Sequence, residues 1–191
     1  LSFNGIFSLA IWDSINKELI LARDSFGVKP LYYSQNDDGF FFSSEIKALP
    51  NLGIDLAQIN PVSVDRYLTY IWCPGNNTSS SNVFKLGPGE LMIVKEGKIK
   101  MHTSWYKPSY ARRNSKINNK NKVIELTTKY LRRAVHRQLV SDVPLGAFLS
   151  GGLDSSAIVA FAKEKIPDIS CFTIRTNHSA SNEGFVDDYP Y

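Results

Sequence analysis

The stretch Phe148-Leu149-Ser150-Gly151-Gly152-Leu153-Asp154-Ser155-Ser156 decides how this chain is read. It closes an apolar run, Val143 to Leu149, and leads into a segment of helical character, Ala157 to Lys165. An apolar run that stops at Ser-Gly-Gly and restarts as a helix predicts a strand, a tight loop and a helix N-terminus. The two glycines allow positive φ and let main-chain N–H groups come close to a ligand. The first helical turn adds unpaired donors and the positive end of the helix dipole. Ser150, Ser155 and Ser156 add hydroxyls. Such a loop is suited to phosphate. Without a ligand, the same residues make a serine-rich helix cap after a glycine turn.

The loop contains no lysine, so it is not the G-x-x-x-x-G-K-[ST] loop that grips β- and γ-phosphates. A carboxylate, Asp154, stands in it instead. Mg²⁺ is commonly held by one or two carboxylates plus phosphate oxygens. Asp154 is therefore the candidate metal ligand, and metal-bound pyrophosphate the candidate ligand.

Downstream, strand Leu145–Leu149, helix Asp154–Lys165 and strand Ile169–Ile174 follow one another with short connections, the pattern of a parallel α/β sheet. Ligands bind such sheets at the carboxyl ends of strands, where the Ser-Gly-Gly loop lies. Upstream, Val123, Ile124, Leu126, Tyr130, Leu131, Ala134, Val135 and Leu139 recur at helical steps between Asn121 and Leu139. The first hundred residues read as β-rich. Gly5–Asp13, Leu19–Ala22, Leu31–Ser34, Phe40–Ser43, Glu90–Val94 and Lys98–His102 are candidate strands, with Asp38-Gly39 and Glu96-Gly97 at hairpin tips. Glu45–Leu49 reads as a short helix ended by Pro50. Asn60-Pro61 opens another, with Val64, Tyr67, Leu68 and Ile71 on its apolar face.

Ser150-Gly151-Gly152-Leu153-Asp154-Ser155 resembles the S-G-G-x-D-S loop of the ATP pyrophosphatases. With Ser141-Asp142-Val143-Pro144-Leu145-Gly146-Ala147 before it, the stretch is similar to glutamine-hydrolysing asparagine synthetases. A distant block agrees: Ala22-Arg23-Asp24-Ser25-Phe26-Gly27-Val28-Lys29-Pro30-Leu31-Tyr32-Tyr33, then Phe42-Ser43-Ser44-Glu45-Ile46-Lys47-Ala48-Leu49, resembles the latter half of that family's glutaminase domain. The resemblance implies an incomplete α+β glutaminase part, an αββα sandwich, over 1–106. A linker over 107–120 and the start of a doubly wound α/β synthetase domain over 121–191 follow. It implies ATP and Mg²⁺ as cofactors, with aspartate, glutamine and ATP as substrates. Amidation would proceed through an acyl adenylate. The nucleotide-binding residues would be Leu149, Ser150, Gly151, Gly152, Leu153, Asp154, Ser155 and Ser156, with Ile174 beside the adenine, and Asp154 on the metal. Asp187-Asp188 resembles an acidic pair of the family and suits either a helix start or a substrate contact.

The chain departs from the family at its ends. The family's glutaminase nucleophile is an N-terminal cysteine, whereas this sequence begins with Leu1. No catalytic residue is therefore assigned within it. It reads as an internal piece that by itself binds ATP weakly and does not hydrolyse glutamine. The alternatives are a related ligase acting on a sugar acid or a β-lactam precursor, and a non-catalytic nucleotide-binding module.

Composition sets outer bounds. A net charge of +4 over 191 residues is too mild to argue for nucleic acid. The basic residues concentrate between Lys107 and Arg137, in a polar stretch typical of a solvated linker. Cys73 and Cys171 lie far apart and lack metal spacing, as expected of reduced thiols in a cytoplasmic protein. No apolar run reaches transmembrane length. A homodimer is one assembly the reading allows. Arg23-Asp24 and Lys29-Pro30 read as residues that shape a turn. His102, His136 and His178 show no partner spacing. Cys73 has no nearby base in the sequence.

Overall fold

The computed structural model describes residues 3–108 and 119–174. The chain divides into two compact units, Leu1–Ala111 and Arg112–Tyr191. Asp187, Asp188 and His178 lie outside the described residues.

In the first unit β1 (Ser8–Asp13) and β2 (Glu18–Arg23) form a hairpin. The Asp13 carboxylate closes its turn, accepting from the Ile15 and Asn16 N–H groups at 2.9 and 3.0 Å. β3 (Tyr32–Asn36) and β4 (Gly39–Ser43) form a second hairpin through Asp37-Asp38, and β5 (Phe84–Lys85) pairs with β3. β6 (Glu90–Lys95) and β7 (Lys98–Ser104) complete the first sheet, in the order β1-β2-β6-β7; the second sheet runs β4-β3-β5. Glu96 and Gly97 turn the β6–β7 hairpin with φ of 52° and 72°, the left-handed pair that a two-residue hairpin loop requires.

Strand alternation assigns the faces. Leu21, Met92 and Val94 of the first sheet bury a common core with Tyr33 of the second and with Leu31 and Leu86, flanked by Phe40, Phe42 and Phe84. The other face of the second sheet, through Tyr32 and Phe41, packs on Leu49, Ile54 and Val83. The outer face of the first sheet carries a cross-strand row, Ile11, Ile20, Ile93 and Met101. Ile11 and Met101 in this row are exposed. Among the described residues of the first unit, two sheets and helical segments beside the second are present. These account for part of the expected αββα sandwich.

Two helices differ from their sequence reading. The first is a 3-10 segment, Ile46–Leu52, that runs through Pro50 rather than ending there. Proline's fixed φ of about −65° fits a 3-10 turn, and the chain turns away only at Gly53, at φ 84°. The second, α1 (Pro61–Tyr70), starts as read: Pro61 is at its first position, and the Asn60 side chain accepts from the Ser63 N–H at 3.2 Å. Its expected apolar face is not buried. Tyr67, Leu68 and Ile71 are exposed, and Ser63 is the buried residue of the helix.

The Arg23–Pro30 turn is held by charge used structurally. The Arg23 guanidinium donates to the carbonyls of Lys29, Leu86 and Gly27, at 2.6, 2.6 and 2.5 Å. The buried Asp24 carboxylate accepts from the N–H groups of Phe26, Val28 and Lys29, at 3.0 to 3.1 Å. Gly27, at φ 66°, lies where a Cβ would come within 3.0 Å of Pro88 and 3.1 Å of the guanidinium.

In the second unit α2 (Lys120–Gln138) is capped by Asn119, whose side chain accepts from the Lys122 N–H at 3.2 Å. The helix thus begins within the stretch read as linker. β8 (Gly146–Phe148), α3 (Leu153–Lys163) and β9 (Ser170–Phe172) follow, and β8 pairs with β9 in parallel. Among the described residues of this unit, the sheet consists of this one parallel pair. α2 and α3 bury Val135, Val159 and Ala162. Glu164 accepts from Arg132 at 3.0 Å and lies 3.2 Å from His136. The Arg132 guanidinium also sits 5.0 Å from the Phe161 ring centre. Much of the α2 apolar stripe, including Val123, Ile124, Tyr130 and Leu131, is exposed.

Burial pushes the Asp24 carboxyl up, but the Lys29, Val28 and Phe26 N–H groups outweigh it and hold it below the ordinary carboxylate range. A folded pKa below the unfolded value gives stability above the unfolded pKa, and that stability is lost as pH falls through the folded pKa. Asp24→Asn is expected to cost about 1–3 kcal/mol at neutral pH, because an amide N–H₂ replaces one acceptor. The gap to the parent should shrink once pH drops below about 4. Urea unfolding across a pH series checks this, and a gap independent of pH contradicts it.

Candidate nucleotide-binding loop

The loop between β8 and α3 is positioned by the strand that precedes it. Past Phe148 the chain stays on β9 for one more residue: the Leu149 N–H donates to the Phe172 carbonyl at 2.8 Å. The Leu149 carbonyl then accepts from the Thr173 hydroxyl at 2.6 Å. At Gly151 the backbone turns left-handed, φ 70°. Gly152 is the N-cap of α3, with an extended backbone and no side-chain capping bond. No side chain therefore caps the first-turn N–H groups of α3, the groups that suit an anion.

The loop also bonds to itself. Ser155 Oγ donates to the Gly152 carbonyl at 3.1 Å and accepts from the Ser150 N–H at 3.3 Å. The Ser150 and Ser155 hydroxyl oxygens are 3.1 Å apart. Ser150, Gly152, Leu153, Asp154 and Ser156 are exposed, while Leu149, Gly151 and Ser155 are half-buried. Leu153 is 85% exposed at the first helical position, so its selection there is not for the core. Asp154 is in the first turn of α3. Among the described residues no group of three or more His, Cys, Asp or Glu is arranged to hold a metal. A phosphate-bound Mg²⁺ asks for less, one or two carboxylates, and Asp154 fits that requirement.

Ile174 follows Thr173 directly and is exposed, so β9 brings it to the end of the ladder where Leu149 leaves. The structure thus gathers the sequence-predicted residues Leu149 to Ser156 and Ile174 at one strand-end. Thr173 was missed in the sequence reading. Its signal is only that a hydroxyl-bearing residue stands just past the end of β9, and that carries no meaning until the register is known. Gly146 was missed as well. Its Cβ would lie 2.5 Å from the Phe172 ring and 3.2 Å from the Ser170 carbonyl, so a larger residue there requires the exposed Phe172 ring to move aside.

Among the described residues, the other candidates form no second site. In the first unit a cleft of about 280 Å³ is lined by residues including Tyr32, Ser63, Tyr67, Cys73 and Lys85. The Cys73 thiol faces the carbonyls of Asn77 and Ser63, at 3.4 and 3.8 Å. Lys85 donates to the Cys73 main-chain carbonyl rather than to sulfur, and burial pulls its ammonium pKa below the ordinary lysine value. Two histidines do have partners that linear spacing hid. His102 Nε2 lies 2.7 Å from Glu90 across the β6–β7 ladder, and His136 meets Glu164 between helices. Glu90 also accepts from the Gly87 N–H at 2.7 Å, a turn-holding role.

Residues 1–106 match the glutamine amidotransferase domain. The chain belongs to that family. Residues 127–189, which include the loop, match the asparagine synthase family model. Over 171 residues the chain is 33% identical to glutamine-hydrolysing asparagine synthetase 1 of Bacillus subtilis, covering 89% of this chain and 26% of that protein. It is 35% identical to putative glutamine-hydrolysing asparagine synthetase 2 of Methanocaldococcus jannaschii, covering 99% and 36%. With B. subtilis asparagine synthetase 3 it shares 37% identity, over 83% and 25%. The chain thus spans between a quarter and a little over a third of the length of these relatives. The amidotransferase block and the synthase block stand in the order read from the sequence.

The two loop glycines make a test. Gly151→Ala places a Cβ at positive φ and should cost about 1–2 kcal/mol. Gly152→Ala should cost less: its φ is −71°, and a Cβ would meet only the Ser150 hydroxyl, at 3.5 Å. Chemical denaturation of both variants compares them, and equal losses would mean the backbone geometry of the loop is misplaced.

Proposed function

We propose that this protein is a glutamine-dependent ligase that converts aspartate to asparagine at the expense of ATP, releasing AMP and pyrophosphate. The observation that carries this reading is the lysine-free Ser-Gly-Gly-Leu-Asp-Ser-Ser loop at the carboxyl end of a parallel strand. It occurs in a chain whose preceding residues belong to the amidotransferase family. The names of the similar proteins support the choice of aspartate and glutamine.

In this reading an aspartate side-chain carboxylate oxygen attacks the α-phosphorus of ATP, and the bond to pyrophosphate breaks. Ammonia released from glutamine then attacks the acyl carbon. The C–O bond to AMP breaks, AMP leaves with that oxygen, and the nitrogen loses a proton. Negative charge grows on the pyrophosphate, so preorganised donors there lower the barrier. The first-turn N–H groups of α3 and the hydroxyls of Ser150, Ser155 and Ser156 supply them. On phosphate binding, the Ser150 and Ser155 hydroxyls exchange their mutual contact for phosphate oxygens. Asp154 would hold Mg²⁺, whose charge offsets that of the leaving pyrophosphate. Leu149 and Ile174 border the nucleotide base, and a doubly wound sheet extends β8 and β9. A cytoplasmic setting is part of this reading and accords with the two free cysteines.

ATP–pyrophosphate exchange by the protein as its gene encodes it tests the proposal. Exchange should require aspartate and Mg²⁺. Ser150→Ala and Asp154→Asn should each lower it by about 10²-fold or more, the scale of losing one transition-state donor, with glutamine hydrolysis largely intact. No exchange with aspartate would overturn the assignment, and equal loss of both activities would mean the loop does not belong to one site.

A further inference from the structure

Thr173 is where the β8–β9 ladder stops, and the way it stops bears on the loop. In parallel pairing, a residue's N–H goes to the carbonyl one position before its partner, and its C=O accepts from the N–H one position after. The register Phe148↔Phe172 makes Thr173 the partner of Leu149. The Leu149 N–H follows the rule, donating to the Phe172 carbonyl at 2.8 Å. The rule then assigns the Leu149 carbonyl to the Ile174 N–H. That rung is absent between these two described residues. The Thr173 side chain takes the carbonyl instead, at 2.6 Å. A side-chain hydroxyl has thus replaced a main-chain donor at the last step before the loop.

We infer that Thr173 is a positioning residue: by intercepting the Leu149 carbonyl it ends the ladder one rung early and leaves the Ile174 main-chain N–H available to the edge of a nucleotide base. The inference rests on the nucleotide reading of the loop above and extends it to base selection. A main-chain N–H with no partner among the described residues needs an acceptor opposite it. The Watson–Crick edge of adenine presents a ring-nitrogen acceptor, N1. Guanine presents an N–H at the same position, and two donors repel. One hydroxyl therefore does two things. It takes up the Leu149 carbonyl, and it makes the neighbouring N–H selective for adenine over guanine. Ile174 is exposed at the strand end, so its side chain leaves room for a ligand there.

Thr173→Val removes the hydroxyl and keeps the shape of the side chain, so the Leu149 carbonyl draws in the Ile174 N–H and the ladder closes. Thr173→Ser keeps the hydroxyl. In ATP–pyrophosphate exchange by the whole protein, Thr173→Val is expected to raise the KM for ATP about three- to tenfold, the worth of one hydrogen bond. Its preference for ATP over GTP should narrow by a similar factor, while kcat and glutamine hydrolysis change little. Thr173→Ser should retain both the KM and the preference. Because Thr173 is exposed, the urea midpoint of the valine variant should stay near that of the parent. A valine variant that keeps the parent's KM and base preference overturns the inference, and so does a serine variant as impaired as the valine. A parent protein that catalyses no exchange overturns the nucleotide reading and this inference with it. A parent that exchanges alongside an unaffected valine variant overturns the inference alone.

Discussion

The parallel pairing of Gly146–Phe148 with Ser170–Phe172 is the constraint on which the candidate site depends. It fixes where the chain leaves the sheet, and hence where Ser150 begins. The close approach at Gly146, where a Cβ would strike the Phe172 ring, sets the pairing from one end. The two bonds at Leu149 set it from the other. Past Leu149, left-handed Gly151 turns the chain so that α3 starts with its N-terminus toward the strand end. Three backbone facts therefore aim the helix donors, and the side chains of Ser150 and Ser155 keep the loop closed when no anion holds it.

The first unit uses polar groups differently. Arg23 and Asp24 lie at the end of β2 with the look of an active-site pair, yet both are consumed by main-chain partners. The guanidinium takes three carbonyls, and the carboxylate takes three N–H groups. Buried charges persist when their hydrogen bonds are complete, and here they are spent on holding a turn. Glu90 does the same for Gly87, and Asp13 for the β1–β2 turn. Polar residues in this unit mostly organise loops at strand ends.

Much of this was legible in the sequence because the signals are local. Asn60-Pro61 and Glu96-Gly97 state their own backbone geometry, and both elements formed where read. The loop from Ser150 to Ser156 combines glycines, hydroxyls and a first-turn carboxylate in a span short enough to recognise. What escaped depends on register or on packing. The Thr173–Leu149 bond joins residues 24 apart in sequence and exists only because β8 and β9 align as they do. His102 meets Glu90 by hairpin register. Pro50 misled because proline breaks an α-helix but fits a 3-10 turn. The stripes on α1 and α2 gave the right period, yet a periodic stripe names a face without naming what covers it. Tyr67, Leu68, Val123 and Ile124 are exposed accordingly.

The central claim is that the loop serves attack at the α-phosphorus. The most direct measurement follows the carboxylate oxygen. With aspartate carrying oxygen-18 in its side-chain carboxylate, and with ATP and an ammonia source, the account predicts that one labelled oxygen leaves in AMP. Label recovered in inorganic phosphate, or ADP as the nucleotide product, would mean attack at the γ-phosphorus and would contradict the account.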